Sequence, residues 1–301
     1  ASAEYKDPKL DEALRSGKNF HALFGQFLFP DQTYESIMAT KKESDGYYGT
    51  AKKAGFLKIY GGTPEGMQFR LGIHLEQAQE ADEKWKREYP GIAIAQQVMD
   101  ESFTALTQPD GLGRRIFWKD PTEYVESMFG FRRYFTLEHM ICKALFQIAE
   151  SPPKTWAHIK GKITRRDREQ TFAGAARSAV FGAAFAIQEA NKRAAKNHRI
   201  QSSGAQICKR LQRNIWDVQP TGINEWLVMP MNIHDEVLVP CKPEVVDKVA
   251  DIVHATVESF RDRVPLIGID WDKHMTSWAS KEEVPVAPPD LEETSEFATE
   301  S

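Results

Sequence analysis

Apolar residues recur at helical spacing over much of the chain, with a few short stretches where the period changes to two. The pattern predicts helices over 7–29, 47–60, 66–89, 92–106, 171–197, 203–216 and 243–263. Punctuation supports several of these ends. Gly61-Gly62 closes the second helix and Pro90-Gly91 closes the third. The stretch 109–121 is rich in Gly and Pro and reads as loops or short strands. Segments 124–135, 226–233, 237–241 and 264–271 read as strands, the middle pair around a tight turn. The fold class is therefore α+β, with helices segregated from a small antiparallel sheet. No internal repeat is present.

Composition narrows the picture only after the charge is mapped. The chain has 301 residues, 41% hydrophobic and 27% charged, with a net charge of −4. The final stretch 281–301 holds one basic and seven acidic side chains, and its Pro, Glu and Ser content predicts a disordered acidic tail. The first 280 residues, with 38 basic against 36 acidic, are mildly basic. No apolar run approaches the roughly 20 residues of a membrane span, and no signal peptide opens the chain. Cys142, Cys208 and Cys241 are far apart and form neither a CxxC pair nor a zinc spacing, which suits a reducing cytoplasmic compartment.

Three segments carry candidate chemistry. Lys52, Phe56 and Tyr60 recur every four residues, so they share one helix face. An ammonium there would neutralise phosphate charge while the rings border a base, although an aromatic stripe on a helix is ordinarily core. In MNIHDEVLV two apolar strands flank His234-Asp235-Glu236. A hairpin tip of this kind presents a carboxylate that can hold a hard divalent cation, or is an ordinary polar turn. Arg193, Asn197 and Gln201, again spaced by four, give one helical edge of hydrogen-bonding groups suited to the minor groove, or to solvent.

The order and combination of these segments resemble family A (DNA polymerase I-like) DNA polymerases over nearly all of residues 1–280. The helix from Lys52 to Gly61 resembles the family's motif B, and NIHDEVLV its motif C. AAKNHRIQSSGAQICK resembles the Q-x-x-x-A-x-x-x-K segment in wording close to phage members. YVESMFGFRRYF, with Arg132 and Arg133, is similar to its glycine-arginine-arginine strand. WKREYPGIAIAQQVM, NFHALF and VPLIGIDW also fit.

The resemblance implies a fragment of the polymerase right hand. Residues 1–30 follow motif A, 31–118 form helical fingers, 119–280 form the palm with its small sheet, and 281–301 are the tail. It implies template-directed DNA synthesis from dNTP onto a primer 3′-hydroxyl. Asp235 would be one of two aspartates holding two Mg²⁺ ions, with Glu236 in support. Lys52 and His21 would contact the triphosphate, while Phe56 and Tyr60 border sugar and base. His234, Arg132, Arg133, Arg193, Asn197 and Gln201 would contact primer-template DNA. Phe56 lacks a hydroxyl, which implies discrimination against dideoxynucleotides.

Departures from the family pattern shape the expectation. Tyr48 stands where an arginine would reach the triphosphate, leaving Lys41, Lys42 or Lys53 to compensate. Residues 136–188 are longer than the family needs, and the basic run 152–168 reads as an added DNA-backbone contact or a solvated insertion. Motif A would lie just before Ala1. The expectation is a split polymerase of a phage-infected bacterial cell, whose N-terminal partner polypeptide supplies thumb and motif A and could add a 3′–5′ exonuclease; a processed or truncated single chain would read the same. Two alternatives are a non-catalytic DNA-binding scaffold and a fragment of a single-subunit RNA polymerase. The latter tends to carry Ser where this chain has Glu236.

Overall fold

The computed structural model describes residues 2–43, 45–111, 114–165, 168–218, 229–274 and 281–284. The chain divides into two compact units, Ala1–Gln206 and Ile207–Ser301. Among the described residues no helix is long and apolar enough to cross a membrane.

The first unit opens with eight helices: α1 (Ser2–Tyr5), α2 (Pro8–Arg15), α3 (Phe20–Leu28), α4 (Tyr34–Ala39), α5 (Tyr47–Ile59), α6 (Pro64–Leu71), α7 (Leu75–Glu88) and α8 (Pro90–Ser102). Caps explain most of the starts. Asp7 precedes Pro8 and accepts the Leu10 amide at 2.9 Å, and Asn19 accepts the His21 and Ala22 amides. That Asn19 cap divides the single helix predicted over 7–29 into α2 and α3. The predicted 66–89 helix is likewise two, because Gly72 ends α6 in the left-handed region at φ 68.

The core of these helices forms where α3 lies against α5 and α7. Phe24, Leu28 and Met67 have no exposed surface, and Leu10 and Trp85 are 1% exposed. Phe24 and Trp85 meet edge to face at 5.1 Å, and Trp85 meets Tyr89 at 5.0 Å. Each large side chain buried this way contributes about 1.5–3 kcal/mol.

Two hairpins follow. β1 (Leu106–Thr107) pairs with β2 (Phe117–Trp118), and β3 (Tyr124–Glu126) pairs with β4 (Arg132–Tyr134). Then come α9 (Thr136–Glu150), a 3-10 turn at Lys154–His158, and the hairpin of β5 (Lys162–Arg165) with β6 (Arg168–Thr171). The last element, α10 (Phe172–Val218), is 47 residues long. It was predicted as two helices. It continues because Ser203 bonds back to the Arg199 carbonyl at 2.6 Å and accepts the Met128 amide at 3.1 Å, so neither it nor Gly204 has to end the helix. Up to Gln206 it belongs to the first unit, where Ala195 packs with Met99, Phe103, Val125 and Phe135. Gln188 accepts the amides of Ala105 and Leu106 at 2.8 and 2.6 Å.

The second unit holds the rest of α10, β7 (Met231–Ile233), β8 (Glu236–Leu238), α11 (Val246–Glu258), β9 (Trp271–His274) and β10 (Lys281–Val284). Its core joins Leu211 and Ile215 to Val249, Val253 and Val257, and Val237, Ile267 and Trp271 pack against them. The strand predicted over 226–233 is confined to its last three residues, while 226–228 lie outside the described residues. The strand predicted over 264–271 is shifted to Trp271–His274. Its partner is Lys281–Val284, so the beginning of the expected disordered tail is a strand; 285–301 lie outside the described residues. The architecture is α+β, as predicted. The described strands form five separate antiparallel ribbons rather than one small sheet.

Candidate active site

The sequence stripe of α5 is a real face. Lys52 and Phe56 are exposed, Phe56 by 42%, whereas the neighbouring Ala51 and Ala54 are fully buried. Tyr60 caps the helix and is half-buried against the core. His21, the second residue of α3, joins this face. Its ring lies 5.0 Å from that of Phe56 and 6.2 Å from that of Tyr48. Burial, and then the nearby Lys52 ammonium, hold its pKa below the usual histidine value. Among the described residues His21 Nδ1 is buried without a hydrogen-bond partner. The structure therefore brings together His21, Lys52 and Phe56, which are 31 and 35 positions apart along the chain. It sets an imidazole whose pKa is held low beside an ammonium.

Tyr48 faces inward. It is 8% exposed, and its phenol oxygen accepts from Asn19 Nδ2 at 3.1 Å. Asn19 is the cap that starts α3, so Tyr48 braces His21 from behind and does not project as an arginine there would. Lys41, Lys42 and Lys53 are exposed.

Apart from His234, the groups expected to meet DNA are arranged in two places within the first unit. In the β3–β4 hairpin, Arg132 pairs with Glu126 at 2.6 Å and stacks over Tyr124 at 4.6 Å. The hydrogen bond it donates to Glu126 pushes its pKa up further. Arg133 stacks over Phe135 at 5.0 Å. On α10, Arg193 and Gln201 are exposed, and Asn197 is half-buried with its Oδ1 unpartnered among the described residues. Because α10 is continuous, all three lie along one edge.

In the second unit, pairing of Ile233 with Glu236 leaves His234 and Asp235 as a two-residue turn. His234 has φ 58, a left-handed conformation unusual for a residue with a side chain. Asn232 Nδ2 holds the turn by donating to the His234 and Glu236 carbonyls at 3.0 and 3.1 Å. His234, Asp235 and Glu236 are all exposed. Among the described residues no ion pair occupies Asp235, although its charge reaches Cys208, whose thiol is pushed up by burial and then by this carboxylate. A hard carboxylate on a held turn suits Mg²⁺ as one ligand. Among the described residues no three His, Cys, Asp or Glu side chains gather as a metal cluster.

This set of helices and ribbons is a polymerase fold. It is similar to the POL domain of Pol1 from M. smegmatis, solved in complex with DNA primer-template and dNTP. The TM-score is 0.51 and identity 18%, and the match covers 85% of this chain and 33% of that one. The chain thus spans about a third of the length of that chain. No curated protein sequence matches it. The model of DNA polymerase family A matches residues 2–272, and the chain belongs to that family.

Proposed function

We propose that this chain is the fingers and palm part of a DNA polymerase that extends a DNA primer on a DNA template. In this reading 1–30 lead from motif A, 31–118 are fingers and 119–280 palm. The observation that carries it is the gathering of His21, Lys52 and Phe56 on α3 and α5 in a family A chain. Lys52 would neutralise triphosphate charge. His21, kept neutral by its surroundings, would donate a hydrogen bond and add no second cation. Phe56 and Tyr60 would wall the sugar and base, with the missing hydroxyl at Phe56 favouring discrimination against dideoxynucleotides.

Asp235 would hold Mg²⁺, with Glu236 beside it and His234 near the primer end. When bound, paired Mg²⁺ ions favour attack by the primer hydroxyl and neutralise the departing pyrophosphate. The second acidic ligand would come from outside these 301 residues, on an N-terminal polypeptide, joined to them or separate, that also brings the thumb. Arg193, Asn197 and Gln201 would follow the minor groove, where acceptors are present in every base pair. Arg132 and Arg133 would contact the backbone. The setting is the cytoplasm of a phage-infected bacterium.

The test is primer extension with Mg²⁺, dNTPs and the N-terminal polypeptide. Extension is expected from the mixture and not from either part, and Asp235→Ala is expected to abolish it. Full activity of the Asp235→Ala complex would defeat the reading. One observation favours the non-catalytic alternative: Tyr48 spends its hydroxyl on Asn19 where an arginine would reach phosphate. That alternative expects salt-sensitive primer-template binding with no synthesis under any pairing.

A further inference from the structure

The back of α5 is held by polar contacts that its exposed stripe gives no hint of. Lys58 is only 4% exposed. Its ammonium pairs with Asp82 of α7, itself 5% exposed, and donates to the Gly62 carbonyl at 3.0 Å. The other Asp82 oxygen pairs with Lys86 at 2.8 Å. Gln96 of α8 donates to the Lys58 and Ile59 carbonyls at 2.8 and 2.9 Å, and the Tyr5 hydroxyl donates to the Ile59 carbonyl at 2.5 Å. These carbonyls belong to the last turn, where a helix runs short of amide partners of its own. Gly61 then turns the chain at φ 78. A Cβ there would lie 2.6 Å from Lys196 Nζ, which Asp100 holds at 2.7 Å. Side chains from α1, α7, α8 and α10 thus grip the end of one helix.

Stability is a poor explanation for the pair at the centre of this grip. Removing two charges from water offsets most of their attraction, and apolar replacements of a buried pair are often as stable. Burial pulls the Lys58 ammonium below the usual lysine value despite Asp82. Burial alone would push the Asp82 carboxyl up, but hydrogen bonds from Lys58 and Lys86 outweigh it and hold that carboxyl low. An enclosed pair does supply a fixed register. Apolar faces tolerate small rolls and slides, whereas an ammonium sealed between one carboxylate and one carbonyl has a single arrangement.

We propose that Lys58 and Asp82 are positioning residues: they lock the end of α5 and so fix the direction in which Lys52 and Phe56 meet the incoming nucleotide. The proposal rests on the nucleotide-site reading above. Lys58→Met, Lys58→Arg and the double variant Lys58→Met/Asp82→Leu are compared in the full chain, alone and assembled with its N-terminal polypeptide. In the assembly, Lys58→Met is expected to raise the dNTP KM about tenfold with kcat nearly unchanged, and Lys58→Arg to restore most of it. In the chain alone, amide exchange over 47–62 is expected to quicken about tenfold in Lys58→Met while α2 and α11 keep their protection.

The double variant has no buried charge, so it should keep near-native stability and still show the raised KM. An unchanged KM in Lys58→Met, or a double variant whose KM returns to the wild-type value, overturns the lock. So does faster exchange spread over the whole first unit. If the wild-type assembly makes no DNA, the polymerase reading fails. Exchange in the chain alone then decides the lock by itself: quickening confined to 47–62 supports it, and any other pattern overturns it.

Discussion

The α3–α5 face and the Asp235 hairpin, each within its own unit, are built by opposite means. On the helical face every candidate side chain sits beside fully buried ones: His21 beside Ala22, and Lys52 beside Ala51. Behind them Phe24 and Trp85 fill the core, and Tyr48 braces the Asn19 cap. The hairpin has strands of three residues, and residues 231–236 are all exposed. Its shape depends on the Asn232 bonds and on the left-handed His234. Packing fixes the first region and a few hydrogen bonds fix the second. Damage to the apolar core behind the helical face should therefore appear first as lost stability, and damage at the hairpin tip as lost chemistry.

The strongest test of that contrast is Asp235→Ala. Primer extension should fall about a thousandfold or more, roughly 4 kcal/mol of transition-state stabilisation. Thermal unfolding of the chain should stay within about 0.5 kcal/mol, as for most exposed substitutions. A large loss of stability would show that the tip is structural. Phe24→Ala probes the other side. It removes a fully buried ring in contact with Trp85, and about 3–4 kcal/mol of stability should go with it in urea unfolding. A loss under about 1 kcal/mol would mean that the helical face is not held by its core.

Much of the helical face was legible because its signal is local. A spacing of four identifies the Lys52–Phe56 stripe, and two apolar runs around His234-Asp235 identify the hairpin. Signals that depend on distant partners were not legible. The apolar period runs on through Gly17 and Gly72, so the breaks there depend on caps and on a left-handed glycine. Residues 198–202 read as a break between two helices, yet Ser203 and Gln206, which accept from the Met128 amide and the Ser127 hydroxyl, belong to a helix that carries through. A lysine such as Lys58 reads as solvent-facing until Asp82, 24 positions away, is seen beside it. Tyr48 reads as a weak substitute for arginine until Asn19 is found at its hydroxyl.

Lys52→Met sharpens the contrast within the helical face itself. Lys52 is exposed, so the fold should hold. The dNTP KM should rise about tenfold, or ~1.4 kcal/mol, through loss of charge beside the triphosphate. Loss of stability comparable to that of Phe24→Ala would show that this face cannot be separated from the core behind it.

The smallest expected effect is the titration of His21, and it reads the geometry of the face without any nucleotide. Its folded pKa lies below the ordinary 6.5, first because the ring is buried and second because Lys52 is near. The unfolded chain therefore takes up a proton at a pH where the folded chain does not. The stability linked to His21 is complete above 6.5 and declines as pH falls through the folded value. Removing the Lys52 charge should raise the His21 pKa in NMR titration of its ring proton. Burial, the larger cause, remains, so the value should still stay below 6.5. Phe56→Ala, which uncovers the ring at 5.0 Å, should raise it as well. A His21 pKa that ignores both substitutions would show that the three side chains do not share one face, and the contrast with the bare hairpin would lose its better-built half.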